Sequence, residues 1–256
     1  MQKDVVAGLG EIGTPILQII SKSTICVGYD TATRLMDVQK FKKYEKMETG
    51  FLHICIPFTS GFYQNVSKLA KLFKPDCIVI HSTVSPGTSA KLQQKLKIPV
   101  LYSATRGVHR RMLFDLKRYT KFYAFDGKHD LVAKRYANLL KRAGIKTKRM
   151  TNTKTLEIAK IVVDTSYYGW LINYAQLSNI VAKKNGIDYD EMWSFAEEIH
   201  RFLGNRPKLF PGVIGGHCVL PNLDLLENCD LNIINKINND YARLSKLKFQ
   251  IASKCG

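Results

Sequence analysis

Residues 4–30 read DVVAGLGEIGTPILQIISKSTICVGYD, and this stretch decides the fold. A short apolar run leads into Gly8-x-Gly10-x-x-Gly13, helical spacing follows, and a second apolar run ends at Asp30. Three glycines between a strand and a helix, with an acidic residue about 20 positions later, are the fingerprint of a dinucleotide-binding βαβ unit. The N-terminal region is therefore predicted to bind a dinucleotide.

Each residue of the fingerprint has a physical role. Gly8 permits the tight turn, Gly10 lets the backbone approach a pyrophosphate, and Gly13 lets the helix pack closely. The backbone amides of Glu11 and Ile12 lie at the N-terminus of the helix. Free N–H groups and the positive end of the helix dipole favour phosphate binding there. We therefore expect this loop to contact the cofactor.

The acidic residue of the fingerprint, Asp30, indicates which dinucleotide the site prefers. The Asp30 carboxylate would accept hydrogen bonds from ribose hydroxyls and would repel a 2′-phosphate, which favours NAD over NADP. A FAD site fits less well, because the remainder of the chain is small and helical. The alternative is a glycine-tight turn that binds no ligand.

The rest of the first half alternates strands with helices. The expected strands are residues 4–7, 25–29, 51–57, 77–81, 99–102, 121–125 and 146–150. The expected helices are residues 13–22, 63–73, 88–96 and 131–143. This alternation predicts an α/β domain over residues 1–150, a Rossmann-type doubly wound parallel sheet.

The second half changes to helical spacing throughout. One long helix over 153–185 is followed by helices over 190–201, 222–226 and 231–253. Residues 151–256 are therefore predicted to form an all-helical domain.

Composition narrows the possible partners. The net charge of +18 is spread along the chain without an arginine-rich block, which favours small anionic ligands over nucleic acid. No run of 18 apolar residues suggests a membrane span. Six cysteines without Cys-x-x-Cys spacing indicate reduced thiols of a cytoplasmic protein and no metal site.

A second motif lies near the C-terminus, where residues 211–222 read PGVIGGHCVLPN. Gly215 and Gly216 let the backbone turn tightly beside a ligand, and Cys218 follows at a fixed place. His217 could orient or acidify this thiol, so Cys218 is a candidate nucleophile. The alternative is a buried cysteine in a glycine-rich loop.

Taken in order, several segments resemble the UDP-glucose/GDP-mannose dehydrogenase family of nucleotide-sugar dehydrogenases. The matching segments are residues 8–13, 82–87 (STVSPG), 157–164 (EIAKIVVD), 185–188 (NGID) and 211–218. They cover the family's NAD-binding and central helical domains, and the family's C-terminal UDP-binding domain is absent.

The resemblance implies a two-step oxidation of a primary alcohol with two NAD per sugar. Lys160 would be the acid/base beside the reacting carbon, with Asp164 as its partner four residues on. Cys218 would capture the aldehyde and form a thioester, and Thr83 would lie near the catalytic water. The resemblance also implies a homodimer paired through the long helix.

Departures from the family pattern modify this expectation. Asp164 stands where the family usually has asparagine, and Asn222 stands where it has aspartate. Two glutamates of the family correspond to Thr105 and His109, and Arg106 makes the same segment basic. A loop of this kind suits an anionic substrate group.

Two alternatives stay open. A β-hydroxyacid dehydrogenase would also use Lys160, would oxidise once and would not need Cys218. A non-catalytic relative would bind NAD, or a partner of its basic surface, for structural or regulatory ends.

Overall fold

The structure is a computed structural model, and it describes residues 2–203, 211–215, 219–225 and 232–252, without the side chains of 203 and 246–252. The chain divides into two compact units, Met1–Lys160 and Ile161–Gly256.

The first unit is built on a seven-stranded sheet. Its strands are β1 (Lys3–Ala7), β2 (Cys26–Tyr29), β3 (Thr49–Ile54), β4 (Cys77–Ile80), β5 (Val100–Tyr102), β6 (Lys121–Phe125) and β7 (Thr147–Arg149). Its helices are α1 (Gly13–Ile20), α2 (Val38–Lys43), α3 (Phe62–Phe73), α4 (Thr88–Leu96), α5 (Met112–Arg118), α6 (Asp130–Arg142) and α7 (Thr153–Ala159). The expected α/β architecture is confirmed, and α2 and α5 are additions that the sequence pattern did not predict.

The strand order is β2-β1-β3-β4-β5-β6-β7, so the direction of winding reverses beside β1. In open α/β sheets ligands bind at such a switch point, outside the carboxyl ends of the strands. The loop that follows β1 occupies this position.

Two strands depart from the predicted parallel sheet, β6 and β7, which run parallel to each other. β6 runs antiparallel to β5, with Leu101 opposite Phe125 and Tyr102 opposite Ala124. The chain leaves β5 at the carboxyl edge and α5 packs on α1, so the chain re-enters the sheet from the same edge. The first residue of β6, Lys121, therefore lies at the carboxyl edge of the sheet.

Apolar side chains cover both faces of the sheet. One core joins the strands to α1, α5 and α6 and includes Ile16, Met112 and Tyr136. The other joins them to α3, α4 and α7 and includes Phe62, Leu92 and Leu156. Helices on both faces explain why the central strands are buried almost completely.

The second unit is helical in its described residues. It contains α8 (Tyr167–Lys184), α9 (Tyr189–Ser194), α10 (Glu197–Leu203), α11 (Val219–Leu223) and α12 (Ile233–Ala252). Gly169 allows close packing here, because a Cβ at this position would lie 2.7 Å from Val219 Cγ1. Among the described residues, no helix is long and apolar enough to cross a membrane.

The predicted single helix over 153–185 is not continuous. A π-helical segment, Lys160–Ser166, separates α7 from α8. The β-branched run at 161–163 has low helix propensity, and the Ser166 hydroxyl donates to the carbonyl oxygens of Ile161 and Val162. The helix predicted over 190–201 is likewise divided into α9 and α10, and Asp188 caps α9 through the Glu191 N–H.

Candidate active site

The glycine loop after β1 has the geometry that its fingerprint predicts. Gly8 has a φ of +91°, and a Cβ there would lie 2.9 Å from the carbonyl of Cys55. A Cβ on Gly13 would lie 1.6 Å from the Gly8 carbonyl oxygen, so α1 starts directly against the turn. A Cβ on Gly10 would meet nothing within 4 Å. We therefore call the loop closed at Gly8 and Gly13, where an added Cβ would overlap other atoms, and open at Gly10, where it would not.

Asp30 supports this loop. Its Oδ2 accepts from the Leu9 N–H at 2.7 Å, and its Oδ1 accepts from the Ala32 N–H at 2.8 Å. Each carboxylate oxygen keeps a further lone pair, since an ionised carboxylate offers about four acceptor positions. Asp30 thus fixes the turn and still has acceptor capacity toward a ribose.

Two predicted site residues, Glu11 and His109, contact each other beside the glycine loop. His109 Nδ1 lies 2.7 Å from the Glu11 carboxylate, and both side chains are partly exposed. Ile12 caps α1 and packs partly against the adjacent core, so only its backbone faces the loop.

The turn after β4 carries Thr83, which is half-buried. The buried Glu157 of α7 accepts from the N–H groups of Gly87 and Ser89 and from the Ser89 hydroxyl. Burial raises the pKa of Glu157, and these three donors oppose the shift. Glu157 therefore ties α7 to this turn, and Lys160 follows one turn further along the chain.

Lys160 and Asp164 both lie on the π-helical segment and are half-buried. Single π-helical turns inside α-helices often mark functional sites. The sequence pattern predicted the four-residue spacing but not this change of helix type.

The basic loop after β5 is largely anchored. The Arg106 guanidinium donates to the Thr120 carbonyl oxygen at 2.6 Å and lies 5.0 Å from the Phe122 ring centre. Arg111 donates to the buried Asp115 carboxylate, which also accepts from the Val108 N–H. These bonds lower the pKa of Asp115, the Val108 N–H contributing most. The loop has four basic side chains, Arg106, His109, Arg110 and Arg111. Arg106, His109 and Arg111 already have hydrogen-bond or ion-pair partners.

Sequence analysis missed a group of buried polar residues on the sheet face that packs on α1, α5 and α6. This polar row consists of Asp4, His53, His81, Ser103 and Lys121. Alternation along β6 was an available signal, because Lys121 shares a face with the buried Tyr123 and Phe125. The histidines instead lay within or at the end of runs that looked uniformly apolar.

The described contacts fix the protonation pattern of the row. The Ser103 carbonyl oxygen can only accept, so His81 Nδ1, 3.1 Å away, donates to it. Burial, the largest cause, lowers the pKa of His81 well below its ordinary value, so His81 is neutral and its Nε2 accepts from His53 Nδ1 at 3.0 Å. His53 Nε2 then faces Asp4 Oδ2 at 3.9 Å.

In the second unit, two helices hold the start of the predicted cysteine loop. Asn238 of α12 accepts from the Ile214 N–H at 2.7 Å and donates to the Ile214 carbonyl oxygen. Gln176 of α8 donates to the Gly212 carbonyl oxygen at 2.7 Å. The backbone is therefore fixed immediately before Gly215, which is exposed.

The remaining predicted residues of this motif divide into two groups. Asn222 lies on α11 and is half-buried. Gly216, His217 and Cys218 lie outside the described residues.

Comparison with known proteins gives matches in structure only. No protein-family model matches the chain, and no curated protein matches it in sequence. A UDP-D-ManNAc dehydrogenase from Pyrococcus horikoshii matches with a TM-score of 0.80 and 20% identity, over 99% of this chain and 72% of that one. A UDP-glucose dehydrogenase from Pyrobaculum islandicum matches with a TM-score of 0.70 and 15% identity, over 93% of this chain and 68% of that one.

A shorter enzyme matches over nearly its whole length. The 3-hydroxyisobutyrate dehydrogenase of Mycobacterium tuberculosis has a TM-score of 0.67 and 13% identity, over 96% of this chain and 94% of that one. The fold is that of these dehydrogenases. Identities this low establish the fold alone, and the reaction has to be argued from the site.

Proposed function

We propose that the chain is an NAD-dependent oxidoreductase of the nucleotide-sugar dehydrogenase type, acting on an alcohol of an anionic substrate. The observation that carries this proposal is the glycine loop, closed at Gly8 and Gly13 and open at Gly10, at the switch point of the sheet. The structural similarity to UDP-sugar dehydrogenases supports it.

The residues present fit NAD. The opening at Gly10 and the amides around Glu11, Ile12 and Gly13 suit a pyrophosphate, because the helix begins there without a side-chain cap. Asp30 suits ribose hydroxyls, and Thr83 follows β4, two strands from β1, at the same edge of the sheet. When bound, NAD would supply the hydride acceptor.

The catalytic roles follow the resemblance. Lys160 would act as acid/base, with Asp164 as its partner and Thr83 near the reacting water. Cys218 would add to the aldehyde to give a thiohemiacetal, and loss of a second hydride to NAD would leave a thioester for water to cleave. Asn222 would lie on the helix that follows. Asn222 cannot serve as a base, because a side-chain amide does not take up a proton in this pH range.

The anionic part of the substrate would meet Arg106 and His109, together with the backbone at Gly215 and Gly216 and the His217 ring. In the described structure Arg106 and His109 already have partners. A substrate anion would therefore compete with Glu11 for His109, which predicts a modest contribution of His109 to affinity.

A single-step hydroxyacid dehydrogenase is the second candidate. It is favoured by the match over 94% of the 3-hydroxyisobutyrate dehydrogenase chain. In that reaction Lys160 acts without Cys218.

We also propose a homodimer through α8. This helix exposes Tyr167, Tyr168, Trp170, Tyr174, Leu177 and Val181, an apolar face that a second copy would cover. Sedimentation velocity should show a dimer that Trp170→Glu dissociates. The control Leu72→Glu, at an exposed apolar position on α3, should leave it intact.

Two variants separate the candidate reactions. NADH formation would be followed by absorbance with UDP-glucose, UDP-N-acetylsugars, GDP-mannose and short β-hydroxyacids. The nucleotide-sugar reaction predicts that Cys218→Ser abolishes formation of the acid, whereas the hydroxyacid reaction predicts near-normal turnover for Cys218→Ser and none for Lys160→Ala. No NADH with any substrate would favour a non-catalytic protein.

A further inference from the structure

The polar row reaches the carboxyl edge of the sheet at Lys121. Its Nζ lies 3.0 Å from the Ser103 carbonyl oxygen and 3.3 Å from both the Ala104 carbonyl oxygen and Thr105 Oγ1. The antiparallel register of β5 and β6 places Lys121 against this segment. An ammonium has three N–H groups, so these three acceptors satisfy it completely.

The position of Thr105 is the second element. Lys121 and Thr105 are 5% and 4% exposed, and the chain after Thr105 passes to the surface. Thr105 is therefore the last covered residue between the buried amine and the exposed loop that carries Arg106 and His109.

The charges around Lys121 favour a neutral amine. None of the ion pairs in the described part of the chain includes Lys121. Burial lowers the pKa of Lys121 to about 7; the Cys55 thiol opposes this shift, and the Arg106 and Lys160 cations add to it. His81, which shares the Ser103 carbonyl oxygen with Lys121, is neutral because burial lowers its pKa.

We infer that Thr105 and Lys121 form a proton-accepting pair, in which the Thr105 hydroxyl takes the proton of a bound hydroxyl or water and passes its own proton to Lys121. The inference rests on the proposed function, which supplies the hydroxyl-bearing ligand. It also fills a chemical gap, because residues 103–109 contain no carboxylate that could accept a proton.

Both protonation states of the pair keep their hydrogen bonds. In the neutral state, two N–H groups of Lys121 donate to the Ser103 and Ala104 carbonyls, and Thr105 donates to the amine lone pair. When the ligand O–H bond breaks, its proton bonds to Thr105 Oγ1 while the former Thr105 proton bonds to Nζ. The ammonium then donates to Thr105 Oγ1. Only protons move, so the pair needs no rearrangement of the backbone.

The first test does not depend on activity. Lysine side-chain NMR of the full chain from pH 5.5 to 10.5 should show one resonance with a midpoint near 7, absent in Lys121→Met and present in Lys134→Met, a control at an exposed lysine of α6. Thr105→Val should lower that midpoint by at least about 0.5 pH units, because the charge-assisted bond that the ammonium loses is stronger than the bond that the neutral amine loses. Thr105→Ser should restore it.

A Lys121 midpoint above about 9, near that of an ordinary lysine, would overturn the pair, as would a midpoint that Thr105→Val leaves unchanged. Either result would make Lys121 a structural clamp of the 103–105 backbone.

The second test measures NADH formation against pH with the panel above. Lys121→Met and Thr105→Val should lower kcat about 100-fold with KM within about threefold, and Thr105→Ser should retain most of the rate. Wild-type rates and pH profile in Lys121→Met would overturn the pair and leave the proposed function standing. If wild type forms no NADH, the proposed function fails and the proton-accepting role fails with it, while the NMR midpoints still show whether Lys121 and Thr105 are coupled.

Discussion

The glycine loop and the polar row lie on one sheet and differ in how closely local sequence determines them. In the loop, Gly8 and Gly13 are required by neighbours within six residues of chain or at the adjacent strand end, since a Cβ on Gly13 would lie 1.6 Å from the Gly8 carbonyl oxygen. In the polar row, five residues that lie in or directly after β1, β3, β4, β5 and β6 meet only because of strand order and the reversal of β6. A buried polar cluster such as this row therefore depends on the topology of the sheet, whereas the glycine loop depends on local sequence.

The largest expected effect separates two glycines of the loop. Gly13→Ala should destabilise the protein by about 3 kcal/mol, because its Cβ would overlap the Gly8 carbonyl oxygen. Gly10→Ala should change stability by less than about 0.5 kcal/mol, since nothing lies within 4 Å. Urea unfolding measures both. Equal losses would contradict the division into a closed and an open position.

The same pair should differ in ligand binding. Gly10→Ala should weaken NAD binding at least about tenfold, about 1.4 kcal/mol, because a methyl group would stand where the pyrophosphate approaches. Calorimetric titration at constant salt checks this. Unaltered affinity would mean that the cofactor does not approach at Gly10.

The next effect concerns Lys121 in the polar row. Its folded pKa of about 7 lies below the unfolded value, so the unfolded chain binds more protons between about pH 7 and pH 10 and stability rises with pH there. The burial penalty is complete below that window. Relative to Lys121→Met, the wild type should gain about 2 kcal/mol between pH 7 and pH 9.

Unfolding of both proteins at pH 7, 8 and 9 gives this difference. It cancels the opposite contribution of Cys26, Cys55 and Cys77, whose pKa values burial raises in both proteins. Lys134→Met should follow the wild type. A pH-independent difference between wild type and Lys121→Met would show that Lys121 stays charged.

A smaller effect is expected within the row at His53. His53→Phe keeps the ring packing on Phe51 and Tyr136 but leaves His81 Nε2 without its donor. We expect a loss of about 1 kcal/mol, measurable by urea unfolding. A gain in stability would mean that the buried polar row destabilises the core.

The smallest effect is expected where the glycine loop contacts the basic loop after β5. Glu11→Gln removes the partly exposed ion pair with His109 and should cost less than about 0.5 kcal/mol of stability. NAD affinity should rise slightly, because a carboxylate is removed beside the pyrophosphate loop. A fall of tenfold or more would instead give Glu11 a direct role in binding.

Most of the first unit could be predicted from its sequence. Helix 88–96 and strand 121–125 have the predicted bounds, and the fingerprint glycines have the predicted contacts. Periodicity and glycine placement act over a few residues, so they are visible in a single chain.

Other features could not be predicted because they depend on distant partners. The antiparallel β6 follows a connection through α5, which packs on α1, and the Ser166 hydroxyl donates to a carbonyl oxygen within the π-helical segment. The anchoring of the basic loop by Asp115 also joins residues whose partnership no local pattern indicates. For this reason the sequence predicted charged residues after β5 but not which of them are already engaged.

The most direct test of the dinucleotide site is calorimetric titration of the wild-type chain with NAD and, separately, with NADP. We expect NAD to bind with a Kd below about 1 mM, equivalent to about −4 kcal/mol, and NADP to bind at least tenfold more weakly because of Asp30. Absence of heat with millimolar NAD, or equal affinity for NADP, would contradict the assignment of this loop as an NAD site.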